Sequence, residues 1–131
     1  MADGLVIVAS RHGPDETMSR LEAAVSQRGM AVVARIDHAA AAEAAGLSLR
    51  PTRVLVFGAA KAGTPLMEVA PTLAIDLPLK VLIWTDDAGA THLAYNDPAW
   101  LAARHGLDAE GHPQLPAMST ALAEVARQAA T

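Results

Sequence analysis

The sequence predicts an α+β fold in the order β-α-β4-α: a mostly antiparallel sheet with two long helices on one face, plus short extra helices. Three observations carry this. Short runs rich in β-branched and apolar residues recur at Leu5–Ser10, Ala31–Ile36, Arg53–Phe57, Leu79–Thr85 and Thr91–Asn96. Two longer segments repeat apolar residues at helical spacing, with Met18, Leu21 and Val25 in one and Met118, Leu122, Val125 and Ala129 in the other. Finally, Asp86-Asp87-Ala88-Gly89 is a turn between the last two strands, which therefore pair as a hairpin.

The elements follow in order from local chemistry. The first strand enters from Gly4 and leaves at Arg11-His12-Gly13. Gly13-Pro14-Asp15-Glu16 then starts a helix, because proline suits the first turn and two acids favour its positive end. Gly29 stops it, and the second strand follows. Asp37 caps a short alanine-rich helix over Ala39–Ala45, which Gly46 closes. After the third strand, Gly58–Gly63 reads as a loop that opens a short helix at Thr64-Pro65. Strands four and five come next. Pro98–His105 is one more short helix, Gly106–Pro113 a connection, and Gln114–Ala130 the final helix with Pro116 in its first turn.

Composition bounds the function classes. A chain of 131 residues is expected to form one domain over 1–131 and to bury a core without metals or disulfides. Its residues are 52% hydrophobic but only 3% aromatic, so the interior must be built from Ala, Val, Leu, Ile and Met. Ten basic against fourteen acidic residues give a net charge of -4 and no basic field, so nucleic acid is not an expected partner. Cysteine is absent, which removes disulfides, thiolate metal sites and a cysteine nucleophile together. The start Met1-Ala2-Asp3-Gly4 shows no secretory pattern. No apolar run reaches the ~18 to 20 residues needed to span a bilayer, so a cytoplasmic protein without membrane contact is expected.

Strands three and four are apolar on both faces. Val54 and Val56 oppose Leu55 and Phe57, and Leu82 and Trp84 oppose Val81 and Ile83. Two long helices cover one face of such a sheet. The other face needs the short helices, a homodimer partner or an apolar ligand, and the first two rank ahead.

The polar residues at element ends are the candidate site. Gly58 to Thr64 follows a strand and precedes a helix, as a phosphate loop does, but a P-loop carries Lys immediately before its Ser or Thr. Here Lys61 lies inside the loop, and Pro65 removes an amide donor. Nucleoside triphosphate binding is therefore not expected, while weaker anion binding by Lys61, Thr64 and the loop amides stays open. Asp37-His38 ends a strand, where an imidazole beside a carboxylate can serve as a base, although neighbours on extended backbone point to opposite faces. Histidines 12, 38, 92, 105 and 112 are dispersed without the i, i+4 spacing of a helical metal site, so no metal or other cofactor is expected. Asp76 and Lys80 flank Leu77-Pro78-Leu79, as a polar site or a salt bridge. Tyr95-Asn96-Asp97-Pro98 is a strand end and helix cap, with the Tyr95 hydroxyl free to face a cleft.

Taken in order, Ile36-Asp37-His38, Phe57-Gly58 with Lys61, Gly63-Thr64-Pro65-Leu66-Met67, Asp76-Leu77-Pro78-Leu79-Lys80 and Tyr95-Asn96-Asp97-Pro98 resemble the bacterial and archaeal DUF302 family. The resemblance runs over about residues 5 to 130. It implies a TATA-binding-protein-like fold and a homodimer, and it implies no particular activity. One departure is that the family's Asn-Pro after the third-strand Gly is Ala59-Ala60 here.

The leading functional expectation is a small-molecule or anion-binding module with Asp37, His38, Lys61, Thr64, Asp76, Lys80 and Tyr95 around one polar cleft. An enzyme is the alternative, with His38 as general base, Asp37 or Asp76 orienting it, and Lys61 or Lys80 stabilising negative charge. A structural or interaction module without ligand is the third.

Overall fold

The sheet is the frame on which everything else is placed. A computed structural model describes residues 2–131. Five strands, β1 (Leu5–Ala9), β2 (Ala31–Asp37), β3 (Thr52–Gly58), β4 (Leu79–Thr85) and β5 (Thr91–Asn96), form one sheet in the order β1-β5-β4-β3-β2, antiparallel throughout. The fold class is therefore the α+β arrangement that the sequence predicts.

The two long helices are α1 (Pro14–Gln27) and α5 (Gln114–Ala130). In α1, Pro14 occupies the first turn with Asp15 and Glu16, and the chain leaves through Gly29, whose φ of 75° only glycine adopts readily. Met18, Leu21, Ala24 and Val25 face the sheet, as do Leu122, Val125, Ala126 and Ala129 of α5. They meet Leu55 and Phe57 of β3, Val81 and Ile83 of β4, and Leu93 of β5. Alternation along the strands puts these side chains on one face. Each fully buried Leu or Val adds about 1.5–3 kcal/mol, so this layer dominates stability.

Short helices fill the ends. α2 (His38–Ala44) is capped by Asp37, whose Oδ1 accepts from the amide of Ala40 at 2.9 Å. α4 (Pro98–Arg104) is capped by Asp97, which accepts from the amide of Ala99 and from Ser119 Oγ of α5. A one-turn 3₁₀ helix at Pro71–Ile75, absent from the sequence reading, precedes β4.

One element differs from expectation. The glycine-rich segment is not a loop before a helix at Thr64. α3 runs from Ala60 to Val69 and carries Pro65 in its interior. The amides of Ala62 and Gly63 both donate to the carbonyl of Ala59, at 3.0 and 3.2 Å. Those two donors are committed to the helix and are not part of an open glycine loop. Thr64 is accordingly a mid-helix residue and not a cap.

The second sheet face is open. Ile7, Ala94, Leu82, Val54 and Ile36 are successive cross-strand partners, one from each strand, and make a continuous aliphatic row. At its two ends Ile7 is 44% and Ile36 42% exposed. The short helices do not cover these ends.

Candidate functional site

A sizeable hollow lies at the end of the sheet, between the N-terminal half of α5 and α3. Gln114, Ala117, Met118 and Ala121 recur at helical spacing on α5 and form one wall. Ala60, Gly63, Thr64 and Met67 of α3 form the opposite wall. Met30, Ala31 and Val33 at the start of β2, Gly58 at the end of β3 and Leu77-Pro78-Leu79 leading into β4 make the floor. The cavity measures about 540 Å³. That volume lies within the ~300–1,000 Å³ range of small-molecule pockets.

Its chemistry is apolar. Thr64 and Gln114 are the polar side chains in a lining otherwise made of Met, Ala, Leu, Val, Pro and Gly. Small residues create the space: a Cβ on Gly63 would meet Leu77 Cδ1 at 3.5 Å and Met67 Cε at 3.7 Å, and Ala117 and Ala121 leave α5 without bulk. Three methionines, Met67 and Met118 in the walls and Met30 in the floor, give the lining polarisable, adaptable surface. An arrangement of this kind holds an apolar body by shape and dispersion, with one or two polar groups to orient it.

The seven residues singled out in the sequence do not converge, and the single polar cleft expected from them is not formed. Thr64 alone lies in the cavity wall. Lys61 is exposed on the first turn of α3, between two lining alanines. Asp37 caps α2 on the other side of the fold, and lines a second, polar hollow with Arg53 and Glu43. His38, the first residue of α2, is exposed, and its side chain makes no hydrogen bond among the described residues. Lys80 Nζ donates to the carbonyls of Asp76 and Pro78 at 3.3 and 2.9 Å, closing the bend before β4. Tyr95 is buried in the main core, where burial first and the charge of Asp97 second push its phenol up from the ordinary value. Its hydroxyl does not face the cavity.

Asp76 is the residue whose partner the sequence conceals. Its Oδ2 accepts from His105 Nε2 at 2.5 Å and from Arg104 Nη1 at 3.0 Å. Thr72 Oγ1 lies 2.8 Å from the other ring nitrogen, His105 Nδ1. Asp76 therefore turns to His105 at the end of α4 and not to His38. A carboxylate 29 positions from its imidazole leaves no spacing signal in one sequence. The cavity methionines, by contrast, carry the ordinary signal of core residues. Among the described residues, no three His, Asp or Glu side chains gather as a metal site.

Comparison with known proteins adds to this geometry. The chain is 44% identical over 127 residues to Fluoride-specific ion channel FluC 1 of Brucella suis biovar 1, which covers 97% of this chain and 50% of that protein. It is equally similar to Fluoride-specific ion channel FluC 2 of Brucella melitensis biotype 1, over 97% of this chain and 47% of that protein. The chain thus spans about half the length of these curated relatives. No helix of the described residues is long and apolar enough to cross a membrane. Among solved structures, the crystal structure of an uncharacterized conserved protein DUF302 from Bacillus stearothermophilus matches with a TM-score of 0.86. It is 19% identical and the match covers 98% of this chain and 99% of that one, which establishes a shared fold. Residues 6–125 match the family described as Domain of unknown function DUF302, and with β1 through most of α5 inside that match the chain belongs to this family.

Proposed function

We propose that this chain is a cytoplasmic, homodimeric small-molecule-binding protein whose ligand has a mainly apolar body. The observation that carries the reading is the 540 Å³ cavity with its methionine- and alanine-rich wall. Burying apolar ligand surface there yields about 25 cal/mol per Å², enough for useful affinity without charge pairing. The anionic ligand expected from the sequence takes a specific form in this reading. It is an amphipathic molecule whose head group meets exposed Lys61 while its apolar part fills the hollow.

Titration with decanoate and decanol tests both parts. Saturable binding of both probes, weakened about tenfold or more by Ala121→Leu, is the expected result. Lys61→Ala should weaken decanoate alone. Absence of binding by either probe overturns the reading. Equal loss of both in Lys61→Ala removes the anionic head group from it.

The homodimer is supported by the aliphatic row on the open sheet face, with its exposed ends at Ile7 and Ile36. A monomer rarely leaves a sheet face of that composition in water.

The Brucella relatives favour a second reading, in which this chain is an accessory part of a fluoride-channel system. On this reading the channel pore belongs to the half of those relatives that the chain does not match. Fluoride efflux from liposomes containing the Brucella suis channel, with and without added chain, decides it. Unchanged efflux sinks this reading.

A further inference from the structure

The cavity leaves one cluster of reactive side chains unexplained. Thr72 and Asp76 lie four residues apart on the one-turn 3₁₀ segment, Thr72 within it and Asp76 as its C-terminal cap, and together they grip the ring of His105. His105 itself is fixed by its place at the end of α4, where its amide donates to the carbonyl of Ala102. The carboxylate accepts from Nε2, so in the neutral ring Nδ1 carries the lone pair and accepts from the Thr72 hydroxyl. The result is a continuous relay from Thr72 Oγ1 through His105 to Asp76. The His105 side chain is only 8% exposed and that of Asp76 19%, whereas Thr72 is an exposed residue. The hydroxyl thus stands at the solvent end of a relay whose base is shielded. Arg104 Nη1 donates to the same Asp76 oxygen at 3.0 Å, a second contact on the carboxylate.

A purely structural tie between the 3₁₀ segment and α4 needs the Asp76 and Arg104 contacts only. It does not need a hydroxyl on the second ring nitrogen, since an exposed threonine is satisfied by water. Nucleophile, base and orienting acid within hydrogen-bond reach, in that order, are the nucleophile-activating geometry of covalent acyl transfer. We propose that Thr72 is an acyl-accepting nucleophile, with His105 as its general base and Asp76 as the positioning residue, and that it reacts with activated acyl esters.

In this step Thr72 Oγ1 bonds to the ester carbonyl carbon while its proton passes to His105 Nδ1. Collapse of the adduct breaks the ester bond, the alcohol or phenol leaves with the bonding electrons, and the proton on Nδ1 goes to that group or to solvent. Water, deprotonated by the same nitrogen, then releases a carboxylic acid and restores the hydroxyl. Atoms balance as ester plus water giving acid plus alcohol, with no redox partner.

The test uses the full chain with p-nitrophenyl acetate, reading nitrophenolate release and the site of acetylation by peptide mass spectrometry. Acetyl on Thr72 is expected, with release about 100-fold slower in His105→Gln and in Thr72→Val. Thr72→Ser should keep the reaction. Asp76→Asn should keep the acetylation site but move the pH dependence of the rate, an effect that a merely structural tie does not produce. Thr72→Val leaves the Asp76–His105 bond intact, so its folding is secure even where the other variants lose helicity. Acetylation confined to lysines, or equal Thr72 labelling in folded His105→Gln, overturns the proposal.

Discussion

His92 Nε2 lies 2.7 Å from Asp86 Oδ2, so a side-chain bond closes the β4–β5 hairpin beyond its backbone ladder. The other oxygen of Asp86 accepts from the amides of Ala88 and Ala90, which shapes the turn. The Trp84 and His92 rings, cross-strand partners, sit 5.0 Å apart on the open face beside this lock. The bond from His92 is the main cause that holds Asp86 below its ordinary 3.8, with the amides of Ala90 and Ala88 adding to it. A carboxylate depressed in the folded state contributes stability that is complete above its unfolded value and is lost as pH falls through the folded one. Stability measured by urea midpoint should therefore drop below pH 3.8 more steeply in the wild type than in Asp86→Asn. At neutral pH the order of stabilities should favour the wild type. Parallel pH profiles for the two proteins would show that the lock contributes nothing.

Two glycines should respond in opposite directions to alanine. Gly4 has a φ of 75°, and a Cβ there would lie 2.3 Å from Trp100 Cγ. Gly4→Ala carries about 1–2 kcal/mol of left-handed strain plus the clash with the indole. Gly63 has ordinary helical backbone inside α3, and a Cβ there would touch Leu77 Cδ1 at an ordinary contact distance of 3.5 Å, so Gly63→Ala should gain about 0.5–1 kcal/mol. Thermal denaturation of both variants checks this. Adding Trp100→Ala to Gly4→Ala should recover the clash but not the strain, and full additivity of the two changes would refute the contact.

What could be read in advance follows from how local the causes are. The strands, α1, α5, the cap at Asp37 and a cap within Asn96-Asp97 depend on patterns within a few residues, and all are where their sequence places them, the second cap being Asp97. α3 was hidden because Gly63 and Pro65 oppose helix locally, while burial of Leu66 against Leu73, Ala102 and Leu115 overrides them. The 3₁₀ turn was hidden because its purpose is tertiary, holding Thr72 and Asp76 around a ring from α4. In the cavity, nothing local separates Met118, which packs in one buried cluster with Leu66, Leu73 and Leu115 and also lines the hollow, from a methionine that only fills core. Space bounded by apolar residues is visible only in three dimensions.

Neighbouring positions on α5 give the sharpest test of that hollow. Leu122 is 1% exposed under the sheet, and Leu122→Ala should cost about 2–5 kcal/mol through the cavity it opens. Ala121 faces the existing cavity, so Ala121→Leu should fill space and gain about 0.5–2 kcal/mol while weakening decanoate and decanol binding about tenfold or more. Urea denaturation and probe titration on the same samples separate the two effects. A destabilised Ala121→Leu would mean that the hollow closes in solution.

The open sheet face makes the last prediction quantitative. A stable pair needs roughly 1,000 Å² or more of buried surface, which a five-strand face supplies only if the whole row from Ile7 to Ile36 takes part. Ile36 is 42% exposed in the single chain, so Ile36→Glu should alter the stability of the monomer by no more than about 0.5 kcal/mol. In a dimer it would place a carboxylate in an apolar seam without a partner, a penalty large enough to dissociate it. Light scattering during size exclusion should therefore find a dimer for the wild type and a folded monomer for Ile36→Glu. Trp84, half-buried at the end of the neighbouring row, should report the change through a red-shifted fluorescence. A wild type that stays monomeric at high concentration, or a variant that stays dimeric, would assign the open face to something other than a second copy of this chain.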